Sequence, residues 1–336
     1  MFSFIGKSLM AIMIGYFAIA FSLVVFSSPE IIVPEPDKTL SFAQTTGINY
    51  SDLPESVLFK SRTGAELNYR DYQTSDQAKA PILILIHASA LHNIQFHLLA
   101  TELSQMSAAQ VIVPNMRGHG PSPLQRGDIE YIDQLEDDIA DLIAVLKAEN
   151  QNAKIILGGH SSGGGFALRM AGSQYADTLS GYIFLAPFLK YDAPTTRSDT
   201  GGWAHLAIGR FIGLSMLNGV GMNVLNHLPI MSFAVPKTEI EDEFGEMITQ
   251  LYSHRMNAGF APHDDYQADI KAINAPFLVL VGQKDDAFIA DQYQPVFTKN
   301  NSRGAYEIVR DADHLGLVNN QRTIVKVADW LNTNFK

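Results

Sequence analysis

The chain has 336 residues, 46% of them hydrophobic and 18% charged, with 24 Lys and Arg against 35 Asp and Glu. That balance describes a folded chain with a sizeable core, arranged as one elaborated domain or as two, and excludes a disordered or fibrous protein. A net charge of −11 offers no basic footprint for nucleic acid, and the absence of cysteine excludes disulfides, thiolate nucleophiles, iron–sulfur clusters and Cys-ligated zinc.

From Ser8 to Pro29 no residue is charged, and Leu9, Ile12, Ile14, Phe17, Ile19, Phe21 and Val24 leave no polar face. As a helix at ~1.5 Å per residue this run reaches ~33 Å, against a hydrocarbon layer of ~30 Å. Its length favours a retained anchor over a cleaved signal peptide, whose apolar region is about 7–15 residues; Ser27 and Ser28 offer small residues for the alternative of cleavage and secretion. Lys7 precedes the run and Glu30, Glu35 and Asp37 follow it, which puts the N-terminus in the cytoplasm and the body on the extracytoplasmic side. Residues 1–29 therefore read as a transmembrane anchor. Residues 30–52, with Pro34 and Pro36, read as an extended tether that carries no core.

Strand-like and helix-like stretches then alternate, the pattern of a mostly parallel sheet flanked by helices. Val57 to Lys60 and Leu67 to Asp71, joined at Thr63-Gly64, predict an antiparallel hairpin. Pro81 to Ile86 is continuously apolar, as in a central strand covered on both faces. Val111 to Val113, Ile155 to Leu157, Tyr182 to Leu185, Pro276 to Val281 and Tyr306 to Val309 predict further strands. Ile132, Leu135, Ile139, Leu142, Ile143 and Leu146 recur at helical spacing within a predicted helix over 129–148. Leu99 to Met106 and Arg322 to Phe335 predict helices that cover the sheet. Residues 188–262 interrupt the alternation and read as a cap inserted into a core of 53–187 and 263–336. The apolar first half of the cap either packs on the body or lines an acyl-sized pocket. Its acidic run, Glu239, Glu241, Asp242, Glu243 and Glu246, reads as a solvated helix face.

The chemistry concentrates after the strand at Ile155. Gly159-His160-Ser161-Ser162-Gly163 is G-x-S-x-G between a strand and a helix: a sharp turn lifts the Ser161 hydroxyl off the sheet edge, and side chains at the flanking glycines would collide with their neighbours. His160 reads as a packing residue. The backbone N–H of Ser162, at the helix N-terminus, can donate to an oxyanion.

With these residues the chain resembles the α/β-hydrolase family, in which the remaining groups follow in the order Ser, acid, His. Gly282-Gln-Lys-Asp285-Asp286 resembles the family's acid loop, with Asp285 the first choice and Asp286 the second, the unused one serving as a helix N-cap. Arg310-Asp-Ala-Asp-His314 resembles its histidine loop. The resemblance implies that Ser161 is the nucleophile, His314 the base and Asp285 the group that orients the imidazole. His87-Ala88-Ser89 resembles the His-Gly-x segment, which makes the N–H of Ser89 the second oxyanion donor, with Ala88 where the family has glycine. Asn115 to Ser122 resembles the Arg-Gly-x-Gly-x-Ser loop, a structural turn. His87, His92 and His97 repeat at five, the wrong spacing for one helix face, so no metal is expected, nor any other cofactor.

Serine at 161 argues against carboxylate-nucleophile branches, and the body with its apolar cap looks most like the monoacylglycerol lipase and lysophospholipase group. The leading expectation is membrane-anchored hydrolysis of a small-molecule ester with an acyl chain. Two alternatives stand beside it: amide or peptide cleavage of the capped aminopeptidase type, which needs an anionic subsite for the substrate amine, and a membrane-tethered binding module without turnover.

Overall fold

A computed structural model describes residues 2–35, 38–75, 80–121, 124–198 and 202–335, with side chains from residue 6 onward. Pro36, Asp37 and Ser122 lie outside the described residues. The chain opens with helix α1 (Phe2–Phe26), followed after a long coil by β1 (Ser56–Lys60), β2 (Glu66–Tyr72) and β3 (Ile82–Ile86). Then come α2 (His97–Gln105), β4 (Gln110–Pro114), α3 (Gln134–Glu149), β5 (Ile155–His160), α4 (Ser162–Ala171) and β6 (Gly181–Leu185). The interrupting region holds β7 (Ala204–Leu206), α5 (Ile208–Gly219), β8 (Pro229–Phe233), α6 (Lys237–Ile240), β9 (Leu251–Ser253) and α7 (His254–Gly259). Helix α8 (Tyr266–Ala272), β10 (Phe277–Gly282), α9 (Tyr293–Asn300), β11 (Ala305–Val309) and α10 (Gln321–Phe335) close the chain.

Eight strands form one sheet in the order β1-β2-β4-β3-β5-β6-β10-β11. The hairpin β1–β2 and the pair β2–β4 are antiparallel, and every other pairing is parallel. The five residues of β3 are all buried, as its unbroken apolar run requires of a strand with helices on both faces. Parallel register sends β3, β5, β10 and β11 to end at one edge, so the loops after Ile86, His160, Gly282 and Val309 meet there. Ligands of open α/β sheets bind at this edge.

Three details depart from the periodicity. Helix α3 starts at Gln134 rather than at residue 129, because the side chain of Gln134 accepts the Glu130 N–H at 2.7 Å and the acidic first turn, Glu136 and Asp137, suits a helix N-terminus. Residues 30–52 do contribute to the core: Leu40 is 2% exposed and packs into the main cluster, the Thr39 hydroxyl donates to the Ala234 carbonyl at 2.7 Å, and the Ser41 N–H donates to Asp286 at 2.8 Å. A single leucine between proline-rich and polar stretches has no periodicity to announce it. Finally, the acidic run occupies a four-residue helix and the turns after it. Glu239, Asp242 and Glu243 line a cavity of about 500 Å³ that they share with Phe42, Tyr50 and Phe244.

Candidate active site

Ser161 stands at the junction of β5 and α4 with φ 53° and ψ −118°, a left-handed conformation that costs a non-glycine residue energy and is held by the packing around it. The turn is feasible because the residues two positions to either side, Gly159 and Gly163, lack side chains. A Cβ on Gly159 would come within 2.3 Å of Gly163, and one on Gly163 within 2.1 Å of the Ile86 carbonyl oxygen. The Ser162 N–H, first in α4, has no acceptor among the described residues, and neither has the Ser89 N–H. Ser89, Ser161, Ser162 and His314 line one cavity of about 80 Å³.

The structure separates the two adjacent carboxylates. His314 Nδ1–H donates to Asp285 Oδ2 at 2.9 Å, while Asp285 Oδ1 accepts the N–H groups of Ala287 and Phe288 at 2.9 and 2.7 Å. Asp286 is not a helix N-cap. It accepts the Ser41 N–H through one oxygen and the His314 N–H, at 3.2 Å, through the other, and so pins the histidine loop from behind. Burial opposes a charge on His314, but Asp285, Asp286 and Asp313 around it outweigh that cost and raise its pKa above the ordinary value.

His160 does more than pack. Ala88 N–H donates to Gln95 Oε1 at 2.8 Å, Gln95 Nε2 donates to His160 Nδ1 at 2.8 Å, and His160 Nε2 donates to the His314 carbonyl at 3.0 Å. This relay ties three of the converging loops together, and burial beside His314 keeps the His160 ring neutral. Gln95 carried no sequence signal, since its role depends on loops that meet only in the fold.

The interrupting region grips the loop after β3. Trp203 Nε1 donates to Ser89 Oγ at 3.0 Å, the Ala90 N–H donates to the Tyr252 hydroxyl at 2.9 Å, and Thr249 N–H donates to the Ala90 carbonyl at 2.8 Å. Ala90, not Ala88, takes the left-handed conformation here, with φ 66°. His87 spans the same loop: its Nε2 accepts the Met116 N–H, its Nδ1 donates to the Ala88 carbonyl, and burial pushes its pKa down to about 4. Arg117 turns away from the cavity and forms a buried two-pronged pair with Asp138 at 2.7 Å, which agrees with a structural turn.

The remaining cavity walls are Leu40, Phe188, Trp203, Ala204, Met231, Phe233, Tyr252, Phe260 and their neighbours, with no Asp, Glu, Lys or Arg among them. The acidic cavity shares none of these residues. Among the described residues no three His, Asp or Glu side chains converge in a way that could hold a metal ion.

A sheet of this order with a strained serine after β5 and an Asp–His pair at the same edge defines an α/β-hydrolase. The profile of the family described as serine aminopeptidase, S33 matches residues 77–317, and the chain belongs to that family. A curated relative, protein phosphatase methylesterase 1 of Gibberella zeae, is 27% identical over 171 residues, which cover 46% of this chain and 42% of the relative. The chain thus spans less than half the length of that methylesterase. Among solved structures, a monoglyceride lipase from Saccharomyces cerevisiae superposes with a TM-score of 0.63 at 15% identity, over 86% of this chain and 99% of the lipase. A thermophilic esterase from Thermogutta terrifontis superposes with 0.57 at 21% identity, over 84% and 100%.

Proposed function

We propose that the protein is a serine hydrolase that cleaves carboxylic esters of acyl-chain substrates, of the monoacylglycerol or lysophospholipid kind. Ser161 Oγ attacks the ester carbonyl while His314 takes its proton, and Asp285 stabilises the imidazolium. The N–H groups of Ser162 and Ser89 donate to the oxyanion. Collapse expels the alcohol, which leaves with the proton from His314, and water releases the acyl group from Ser161 by the same steps in reverse.

One observation carries this reading. The strained Ser161 and the Asp285-bound His314 face a single cavity whose walls are mostly apolar and aromatic, with Asn257 and Ser89 among the polar residues beside them. That cavity measures about 80 Å³, with Trp203, Met231 and Phe233 among its walls. We take residues 188–262 accordingly as a cap over a core of 53–187 and 263–336.

The family's description favours a second reading, cleavage of an amide or peptide bond. A substrate amine would need a carboxylate beside the reacting serine, and the acidic side chains of the cap line a different cavity, which weighs against it. Purified protein is expected to hydrolyse p-nitrophenyl acyl esters well ahead of aminoacyl amides, and the reverse ranking would replace the first reading with the second. Ser161→Ala is expected to lower kcat by about 10⁴-fold or more. A fluorophosphonate probe that fails to label Ser161 in the folded protein would leave the binding module.

The same reading makes α1 a retained anchor with Lys7 on the cytoplasmic side and the body outside. Gly6–Phe26 has a mean hydropathy of 2.5 and is mostly exposed. Cleavage at Ser27 or Ser28 would strip the cover from Leu214, Leu217 and Ile230, which pack on Ala20 and Val24, and would take from the buried Arg210 its Val24 carbonyl partner.

A further inference from the structure

Helix α5 packs along α1 in the opposite direction. The Arg210 guanidinium donates to the Val24 carbonyl at 2.8 Å and to the Ser28 hydroxyl, Gly213 lies against Ala20 and Val24, and the Tyr16 hydroxyl donates to the Met216 carbonyl at 2.6 Å. Contact is close because the residues are small: a Cβ on Gly213 would come within 2.7 Å of the Ala20 carbonyl oxygen. Small residues at a helix crossing are how helices pack where apolar solvent surrounds both.

The shared length is informative. From Val24 to Tyr16 on α1 and from Arg210 to Met216 on α5 the two helices run together over about 9–12 Å at ~1.5 Å per residue, roughly a third of a ~30 Å hydrocarbon layer. If α1 crosses a bilayer, α5 cannot remain in water. Its composition agrees, since no Asp, Glu, Lys or Arg occurs from Phe211 to Pro236. Large apolar side chains of this stretch are bare, Ile212 45% exposed, Val220 54% and Val224 69%, beside the small polar Ser215 and Asn223. The last charge before this stretch, Arg210, sits near the C-terminal end of α1, where its donors are taken up by the Val24 and Pro229 carbonyls and by Ser28.

We infer that α5 and the loop after it are embedded in the acyl-chain region of the bilayer leaflet nearest the body, paired antiparallel with the anchor. This rests on the reading of α1 as a retained anchor and adds a second intramembrane segment that belongs to the cap. It also sets the distance from lipid to the candidate active site. Ala204, Met231, Phe233 and Tyr252 of the sheet β7–β8–β9 line the cavity that holds Ser161, and Met231 of β8 also packs against the cluster around α1 and α5. A substrate acyl chain would reach that cavity from the bilayer rather than from water.

The chain has no cysteine, so single labels can be introduced without background. Full-length Val220→Cys and Val224→Cys, each carrying an environment-sensitive fluorophore, are reconstituted in phosphatidylcholine vesicles that contain acyl-chain-brominated lipid. Ile12→Cys on α1 and Leu58→Cys on β1 serve as references. The expected result is that the Val220 and Val224 labels lose the same fraction of fluorescence to bromine as the Ile12 label, while the Leu58 label loses none. Quenching at Ile12 with none at Val220 and Val224 would overturn the embedding and leave the anchor intact. No quenching at Ile12 would remove the anchor and the embedding together. Labels at 220 and 224 shielded from both bromolipid and aqueous iodide would overturn it in favour of a second copy of the chain covering this face.

Discussion

Asp285 and Asp286 are adjacent carboxylates with opposite tasks, and the difference lies in what each oxygen accepts. Asp285 spends one oxygen on two backbone N–H groups and presents the other to His314 Nδ1, whereas Asp286 holds the backbone of His314 and of Ser41. Both carboxylates raise the pKa of His314. In the proposed mechanism His314 is the base and works only when neutral, so a raised pKa means that hydrolysis is lost as pH falls through a value above that of an ordinary histidine. The pH profile of kcat/KM is expected to show an acid limb in that position, and Asp286→Asn should move the limb to lower pH, since one of the charges that favour the imidazolium is gone. A limb that stays in place would remove Asp286 from the electrostatics of the site. The same loop shows where single residues are legible and where they are not. Ser161, Asp285 and His314 follow in family order and stand on predictable strand ends. Gln95 and His160 join the loops by hydrogen bonds between side chains far apart in sequence, which no spacing records.

The loop after β3 is held in part by residues that arrive from the region 188–262, proposed as the cap. Trp203 donates one hydrogen bond to it and Tyr252 accepts one from it, and such a bond contributes about 1 kcal/mol. Trp203→Phe and Tyr252→Phe are each expected to lower kcat by about fivefold, with KM changed less, in steady-state assays on acyl esters; an unchanged kcat would free the loop from the cap. The turn that carries Arg117 behaves differently. Its guanidinium and Asp138 are both buried and paired away from the cavity. Asp138→Ala strands a buried charge and should cost about 3–5 kcal/mol in an unfolding titration, while the folded fraction keeps its turnover. The central strands of the large sheet read well from sequence because strands buried on both faces are unbroken apolar runs, whereas the short strands β7, β8 and β9 were not predicted. The start of α3 read poorly because Ile129 and Ile132 continue the apolar spacing although the backbone turns helical only at Gln134.

Across the molecule, Met231 lines the cavity of Ser161 and also packs against the α1–α5 cluster, so under the proposed function its size bears on acyl-chain length. Met231→Ala is expected to extend the preferred acyl chain and Met231→Trp to shorten it, with ratios of kcat/KM between adjacent chain lengths shifting by about tenfold, since each methylene in an apolar pocket contributes roughly 1–3 kcal/mol. An unaltered profile in both variants would direct the chain along another wall. The amino-acid sequence by itself determined a mostly parallel sheet flanked by helices, the apolar N-terminal helix and the serine turn, because each follows from local periodicity, uninterrupted hydrophobicity or the need for glycine at a strained bend; the α/β-hydrolase reading rested on the resemblance of its motifs. Only the tertiary structure decided which carboxylate meets His314, that Leu40 joins the core, that the acidic run borders a cavity of its own, and that α5 lies against α1. Those outcomes depend on groups distant in the chain coming within hydrogen-bonding or van der Waals reach, and contacts of a few ångströms are a property of the assembled packing rather than of any one segment.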